Sequence, residues 1–491
     1  MTRAPATGTR FRGKDVSHGN LIDPAVEGEH SEDHAFNLSF INGSRCAVRI
    51  SVIGAGPTGL FLAATLALRE HRVTVVDRDP GPTPDGVWRR RGVMQFHHAH
   101  LFRPQCAETL QTHLPDAYQA WLEAGAEPIQ LTRSDGTRTM FAVRSRRQTF
   151  ETALRATVLG MPAVTFHRGH VDAVTTVGGR AAGVKVASSP IGADLVIDAS
   201  GRAGRVADGL RPAPSVGGNC GIAYVDRQYQ LWPDAEPGPL LNPAAWQGEF
   251  DGYQSILFLH ERGIFSVLLV RPTSGRDLVG LRHNEAFDAA CGAISVLAAW
   301  TDPQRARPIT DVLPGGTLYN YYRPQTGADG RLTVPGLISA GDAVCTTTPN
   351  FGRGITTSLL QAQELLRLVD EHGDDVEAVG YAFDEWCATA MRPWVEDHVA
   401  MDDDMRRRWE GGDIDLTKRL PSDLILAGAE ADPAIAPAIR PYLQMAAGPS
   451  SLDGVEARAR ALYASGWRPR LAAGPSRREL AELVQRITGS K

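Results

Sequence analysis

The chain has 491 residues, 43% of them hydrophobic and 22% charged, with a formal net charge of −5. That length suits two or three structural units with substantial cores, and the mild acidity leaves no electrostatic footprint for nucleic acid or an anionic membrane surface. No run approaches the ~18 consecutive apolar residues of a membrane span.

Six cysteines (Cys46, Cys106, Cys220, Cys291, Cys345 and Cys387) are scattered without a Cys-x-x-Cys pair, a pattern of reduced thiols rather than of a disulfide framework or zinc site. Residues 1–45 are polar and lack the apolar stretch of ~7–15 residues that a signal peptide requires, so they read as a tail, and the expected location is cytoplasmic.

The first organised unit begins near Cys46. Val48-Arg-Ile-Ser-Val-Ile-Gly54-Ala-Gly56-Pro57-Thr-Gly59 is a short apolar strand entering a Gly-x-Gly-x-x-Gly turn, followed by an apolar helix from Leu60 to Leu68. Arg72-Val-Thr-Val-Val-Asp77 then gives a second strand, ending in a carboxylate 23 residues after Gly54. Each part has a mechanical task toward an adenine dinucleotide. Gly54 permits the tight turn, Gly56 lets backbone approach the pyrophosphate, and Gly59 lets helix and strand pack closely. The helix N-terminus offers unpaired N–H groups to phosphate, and Asp77 is placed for the ribose hydroxyls, with Arg78 beside it.

Further on, the spacing predicts a helix over His113–Leu122, then a polar, arginine-rich segment to Arg147, and a helix over Gln148–Leu159. Strand-like alternation occupies Val164–Phe166, Val171–Val177 and Ala182–Ala187, with Gly178-Gly179 as a hairpin turn. Ala193-Asp-Leu-Val-Ile-Asp-Ala-Ser-Gly201 reads as a buried strand ending in a glycine turn. From Cys220 to Tyr322 the aromatic and β-branched runs, notably Ser255–Leu259 and Gly263–Val270, predict an antiparallel sheet with one helix over Asn284–Trp300. A buried strand returns at Leu337–Ala340 and leads into Gly341-Asp342; a helix follows over Gly354–Asp370, and the remainder reads as helical. Nucleotide-type segments therefore flank the β-rich block, which reads as an insertion, with a ligand between the two units.

The stretch Gly341-Asp342-Ala-Val-Cys-Thr-Thr-Thr-Pro349-Asn-Phe351-Gly352-Arg-Gly354-Ile355-Thr356 is the second strong feature, a strand delivering an aspartate to a proline–glycine loop that opens a helix suited to negative charge. At these residues the chain resembles the FAD-dependent monooxygenases typified by p-hydroxybenzoate hydroxylase and squalene epoxidase, whose motif is Gly-Asp-Ala, a proline, then Gly-x-Gly opening a helix. The resemblance implies that Asp342 holds the ribityl chain and that the amides around Gly354, Ile355 and Thr356 lie under the N1–C2=O edge of the isoalloxazine. Gly92-Val-Met-Gln-Phe-His97-His-Ala-His100 resembles the family's segment that crosses the cofactor, with His97 where an arginine is common. Arg147-Gln-Thr-Phe-Glu-Thr-Ala-Leu resembles the helix whose arginine reaches the cofactor, and Val171 stands where a residue frames the adenine. Asp198-Ala-Ser-Gly-Arg202 replaces the Asp-Gly motif of the hydroxylases, which leaves the electron source open between direct NADPH or NADH and a separate flavin reductase.

The implied fold class is α/β: a Rossmann-like FAD-binding domain with an inserted antiparallel-sheet substrate domain and a helical C-terminal region. Its boundaries fall at 46–215 and 331–372 for the two FAD-binding parts, 216–330 for the substrate domain and 373–491 for the helical region.

The implied activity is monooxygenation. Reduced flavin and O₂ form a C4a-hydroperoxide whose distal oxygen passes to an alkene or an electron-rich ring of a bulky apolar substrate, in the manner of secondary-metabolite epoxidases and hydroxylases. No acid–base dyad stands out as catalytic. His97, Phe258, Tyr319, Tyr321 and Phe351 are the substrate-pocket candidates. His97, His98 and His100 do not make a metal site, because three histidines within four residues of a strand do not converge on one ion. Two alternatives stay open: an ene reductase of the geranylgeranyl reductase type and a non-catalytic FAD-binding protein. Halogenases of similar fold carry a pocket lysine and a Trp-x-Trp-x-Ile-Pro motif; this chain lacks the motif and has no lysine between Lys14 and Lys185.

Overall fold

The structure, a computed structural model, describes residues 47–90, 92–133 and 135–489; the polar tail read over 1–45 lies outside them. Strand β1 (Arg49–Ile53) passes through the glycine turn into helix α1 (Pro57–Ala67) and returns as β2 (Arg72–Asp77), paired in parallel with β1. Helix α1 starts three residues ahead of its apolar run because Pro57, with φ already set, occupies the first helical position. All of its residues are buried, since it lies between β2, a later helix over 354–372 and another over 147–159.

Next come α2 (Pro104–His113) and α3 (Pro115–Glu123), where one helix over His113–Leu122 is predicted. Leu114 sits at φ −143° and ψ 63°. Pro115 keeps the residue before it out of the helical region and then starts the second helix itself. The arginine-rich stretch is a hairpin, β3 (Glu127–Thr132) and β4 (Arg138–Arg144), followed by α4 (Arg147–Leu159) and β5 (Val164–Arg168). Strands β6 (Val171–Val177) and β7 (Arg180–Val186) join through Gly178 and Gly179 at φ 58° and 81°, the positive pair of a two-residue hairpin turn. The chain then forms β8 (Ser189–Gly192), β9 (Leu195–Asp198) and β10 (Val216–Asn219).

The β-rich block supplies β11 (Ile222–Leu231), β12 (Ala245–Phe250), β13 (Tyr253–Leu259) and β14 (Ile264–Pro272). In place of a single helix over Asn284–Trp300 there are two, α5 (Asn284–Ala293) and α6 (Ser295–Thr301). The break falls at Ile294, extended at φ −105° and ψ 107°, two residues after a helix-weakening glycine. Then come β15 (Ala306–Pro308), β16 (Leu313–Pro314), β17 (Tyr319–Tyr322), β18 (Leu337–Ser339), β19 (Cys345–Thr346) and α7 (Gly354–His372). The chain closes with α8 (Val376–Trp386), α9 (Arg392–Trp409), α10 (Ser422–Ala427), α11 (Ala436–Leu443), α12 (Asp453–Ala464) and α13 (Arg477–Thr488).

The parallel sheet runs β18-β9-β1-β2-β5, so a strand that follows the β-rich block completes the sheet begun before it. The block itself is antiparallel, in the order β12-β13-β14-β11-β15. Period-two alternation gives it two apolar faces. Val225, Tyr229, Phe265, Val267 and Leu269 pack on α5 and α6 through Phe287 and Trp300. Tyr224, Ile256, Phe258, Leu268 and Val270 face the other way and share a cluster with Leu318 and Met405. The C-terminal helices divide between the two cores: Leu480 and Val484 of α13 join the first of these sheet faces, whereas Tyr442 and Tyr463 pack with the parallel-sheet domain. Among the described residues, no helix is long and apolar enough to cross a membrane.

Candidate cofactor and substrate cleft

One cleft opens at the C-terminal ends of β1, β2, β9 and β18 and extends to the face of the inserted sheet that carries Tyr224, Phe258 and Leu268. Ligands of open α/β sheets bind at this edge. The glycine turn forms part of its wall. Gly54 has φ +102°, and a Cβ there would lie 2.6 Å from the Ala199 carbonyl oxygen, so both its dihedral and its surroundings require glycine. At Gly59 a Cβ would lie 2.0 Å from the Gly54 carbonyl oxygen: strand and helix meet there backbone to backbone. Gly56 is open, with its nearest neighbour, Arg90 Nη2, 3.9 Å from where a Cβ would sit.

Asp77 ends β2 within the turn. Its Oδ2 accepts from the Ala55 N–H at 2.5 Å and its Oδ1 from the Asp79 N–H at 2.7 Å, leaving further lone pairs toward the cleft. Arg78 lines the wall beside it. Arg90, which belongs to no motif of the sequence, donates to the Ala55 carbonyl oxygen at 2.9 Å and stacks 5.0 Å from the Trp88 ring. It brings positive charge to the glycine turn, the task that His97 leaves open. The available signal was the Arg89-Arg90-Arg91 run following β2.

Arg147 also lines the cleft, from the first position of α4. It pairs with Glu151 one turn on, and Arg90 pairs with the other oxygen of the same fully buried carboxylate. Burial pushes the Arg147 guanidinium down to about 10, with Arg90 adding repulsion and Asp342 opposing it. Its Nη1 stands 3.5 Å from His100 Nε2. His100 Nδ1 lies 2.9 Å from the His98 carbonyl oxygen, which only accepts, so the proton sits on Nδ1 and Nε2 faces Arg147. Burial, then Arg147, holds that imidazole neutral, well below the usual histidine range.

Asp342 follows β18 across the sheet from Asp77. Strands β18 and β2 are separated by β9 and β1, which places the two carboxylates' strand ends three spacings apart, about 14 Å. Tyr321 Oη and Thr346 Oγ1 both donate to the Asp342 carbonyl oxygen, at 2.7 and 3.0 Å, and fix its backbone. Burial raises the Asp342 carboxyl above its ordinary value, opposed by Arg147, Arg202 and a hydrogen bond from Ser358. Pro349, Gly352, Gly354 and Ile355 complete this wall. A Cβ at Gly354 would meet nothing within 4 Å. No side chain caps α7, and none caps α1, so two uncapped helix N-termini point their free N–H groups into one cleft.

Several candidates lie elsewhere. Val171 is buried in an apolar cluster with Ile53 and Val76 and does not line the cleft. His97, partly buried and held below its ordinary value by burial, hydrogen-bonds Gln148; among the three neighbouring histidines His100 is the one lining the cleft, while His98 stands 3.3 Å from Asp226. Tyr321 acts behind Asp342, Phe351 turns its ring toward Arg353, and Thr356 bonds Cys106 Sγ at 3.3 Å. Phe258 and Tyr319 do line the cleft, joined by Tyr224, Leu268, Leu318, Met94 and Leu101.

Asp198 of the Asp-Ala-Ser-Gly-Arg stretch is fully buried. It accepts from the Ser200 N–H at 3.1 Å and from Arg211 at 3.2 Å, and so braces its own turn while residues 199–203 line the cleft.

Solved structures of similar architecture include the flavin-dependent brominase Bmp2 (14% identity, TM-score 0.57, 86% of this chain and 100% of that one). A second is the flavin-dependent halogenase CmlS (18% identity, TM-score 0.56, 91% and 78%). A third is PqsL of Pseudomonas aeruginosa, a probable FAD-dependent monooxygenase (15% identity, TM-score 0.53, 74% and 99%). This chain shares the overall architecture of these flavin-dependent and FAD-dependent proteins. A family model described as FAD-NAD(P)-binding matches residues 51–203, the span that holds the glycine turn, Asp77, Arg147 and the Asp198 turn of this flavoprotein fold. No curated protein matches the sequence significantly.

The cleft residues fit FAD on their own geometry. A Cβ-free turn suits a pyrophosphate, Asp77 suits a ribose, arginines offset phosphate charge, and Asp342 with the open Gly354 amide end suits the flavin half. Asp342→Ala is expected to weaken FAD binding by ~1.5–3 kcal/mol, as for a hydrogen bond to a charged group, or about 10- to 150-fold in Kd. Flavin titration of the apo-protein measures it, and wild-type affinity in a folded variant would move the ribityl contact elsewhere.

Proposed function

We propose that this protein is an FAD-dependent monooxygenase that inserts one oxygen atom of O₂ into a bulky apolar substrate, by epoxidation of an alkene or hydroxylation of an electron-rich ring. The observation that carries the reading is the continuity of the cleft: the Asp342–Gly354 wall and the apolar face of Tyr224, Phe258, Leu268 and Leu318 border the same space. When bound, FAD supplies the two-electron activation of O₂ and the oxygen transfer. The chain's own part is positional and electrostatic. Free N–H groups of α7 stabilise negative charge placed against them. The sheet face takes up apolar substrate and sheds water, which strengthens every charge interaction beside it. Arg147, kept cationic between Glu151 and Asp342, adds positive charge to the cofactor side, and neutral His100 offers no competing cation.

Brominating and halogenating proteins share this fold, yet oxygenation is the better reading for this chain. Halogenases of similar fold carry a pocket lysine, and the residues described as lining this cleft include none; Lys185 lies in β7 and Lys418 is exposed. We read the electron donor as reduced flavin from a separate reductase. The sequence has one Gly-x-Gly-x-x-Gly βαβ unit, which FAD takes in this reading, and Asp198, at the hydroxylase Asp-Gly position, is turned inward. Arg205 is exposed, and Arg202, at the cleft wall, donates to the Thr317 carbonyl oxygen at 3.4 Å.

The purified protein is expected to show flavin bands near ~370 and ~450 nm. A protein that neither carries nor takes up FAD would end the reading. Substrate-dependent O₂ consumption, absent with NADPH alone and present once a flavin reductase is added, tests the activity together with its electron source. Rapid anaerobic mixing with NADPH alone is expected to leave the ~450 nm band intact. Bleaching at the turnover rate would show direct nicotinamide use and make Arg202 and Arg205 the candidates for holding it.

A further inference from the structure

The residue between the two glycines of the Asp342–Gly354 loop is Arg353, and its guanidinium is fully buried. It points away from the cleft, into the C-terminal helices. The guanidinium carbon stands 4.9 Å from the Phe351 ring, 4.5 Å from that of Trp394 in α9 and 4.6 Å from that of Tyr442 in α11. Among the described residues, only Nη1 has conventional partners, Asp397 Oδ2 at 3.3 Å and His398 Nε2 at 3.1 Å, and Nε and Nη2 have no hydrogen-bond acceptor. The aromatic faces therefore take the place of oxygen acceptors, an arrangement that suits the delocalised charge of arginine and not the hydrated point charge of lysine.

The counter-charge is held from α9 and its neighbours. Asp397 accepts from Tyr442 Oη at 2.5 Å and from Ser422 at the start of α10. His398 accepts from Arg353 at Nε2, so Nδ1 carries the proton and donates to Thr348 Oγ1 at 2.9 Å, at the other end of the same loop. Burial, then the charges of Arg353 and Arg103, keep that histidine neutral. The Thr348 N–H is taken by Asn320 Oδ1 at 2.7 Å, and Arg103 donates to the Phe351 carbonyl oxygen at 2.5 Å. The hydrogen bonds that hold Thr348, Phe351 and Arg353 thus come from groups that do not line the cleft, and most of these belong to the helices after residue 390.

We infer that Arg353 is a positioning residue. Its aromatic cage of Phe351, Trp394 and Tyr442 is the clamp by which the C-terminal helices set the loop that cradles the flavin ring, independently of the glycine turn that holds the adenine half. The inference rests on the FAD reading of the cleft. Titration of the full-length apo-protein with FAD and, separately, with ADP tests it in Arg353→Lys, Trp394→Leu and Tyr442→Leu, which remove the delocalised charge or one aromatic face of its cage.

Wild type is expected to bind both ligands. The three variants should lose at least about tenfold in FAD affinity at unchanged ADP affinity, and the visible band of any FAD they retain should shift as the surroundings of the ring change. Equal losses for FAD and ADP would show a general structural role and overturn the clamp, as would unchanged FAD affinity. Wild type that binds ADP but gains nothing from the flavin half, or binds neither ligand, would overturn the FAD reading beneath it.

Discussion

Gly354→Val is expected to leave the unfolding midpoint of the apo-protein unchanged while lowering flavin-dependent oxygenation by about 10²-fold or more. A Cβ at this position meets no atom within 4 Å, and Gly354 is the first residue of α7, so the added side chain costs the fold little. The space it enters is the cleft itself, in front of the uncapped amides of the helix. Under the proposed FAD reading, backbone approach to the flavin ring is what the glycine provides, and a displaced ring loses the near-attack geometry on which oxygen transfer depends. The measurement pairs thermal unfolding of the apo-protein with FAD titration and O₂ uptake. A fully active variant would show that this loop does not border the flavin.

Gly59→Ala is expected to have the opposite profile, a loss of about 3 kcal/mol in apo-protein stability from one methyl group. The Cβ would stand 2.0 Å from the Gly54 carbonyl oxygen and 3.2 Å from Val52 Cγ1. Neither neighbour gives way easily: the first is backbone held by the Gly54 N–H to Val76 carbonyl bond at 2.8 Å, and the second is in the fully buried β1 core. Helix α1, with every residue buried, has no free side to move toward. A denaturant midpoint equal to that of wild type would mean that α1 and β1 pack less tightly than this geometry requires. Together, the two substitutions separate a glycine kept for ligand from a glycine kept for packing.

Much of this was readable in the chain itself. The βαβ unit was legible because local pattern and tertiary role coincide: an apolar strand, a turn that only glycine tolerates at Gly54, and a carboxylate at the next strand end are all dictated within 30 residues. The Asp342–Gly354 wall was legible for the same reason. So was the hairpin at Gly178-Gly179, whose positive φ angles need glycine. The breaks at Leu114 and Ile294 were less legible, because apolar spacing continues through both and the single signals at Pro115 and Gly292 are outweighed by it.

What tertiary structure alone decided are the contacts made across long chain separations. Nothing in the sequence near Arg90 ties it to the glycine turn, or to Glu151 61 residues later; folding α4 against α1 does that. Alternation on β11 and β13 marks Tyr224, Tyr229 and Phe258 alike as half-buried, and only the layers on either side send Tyr229 to the core and the other two to the cleft. Likewise His97 and His100 differ by three positions, and the backbone turn between them, not residue type, puts His100 in the wall. Arg353 shows the limit most sharply. Its neighbours in sequence mark a glycine loop opening a helix, but its partners Trp394, Asp397 and Tyr442 lie 41, 44 and 89 residues away, and a fully buried charge is recognisable only when the groups that compensate it are seen around it.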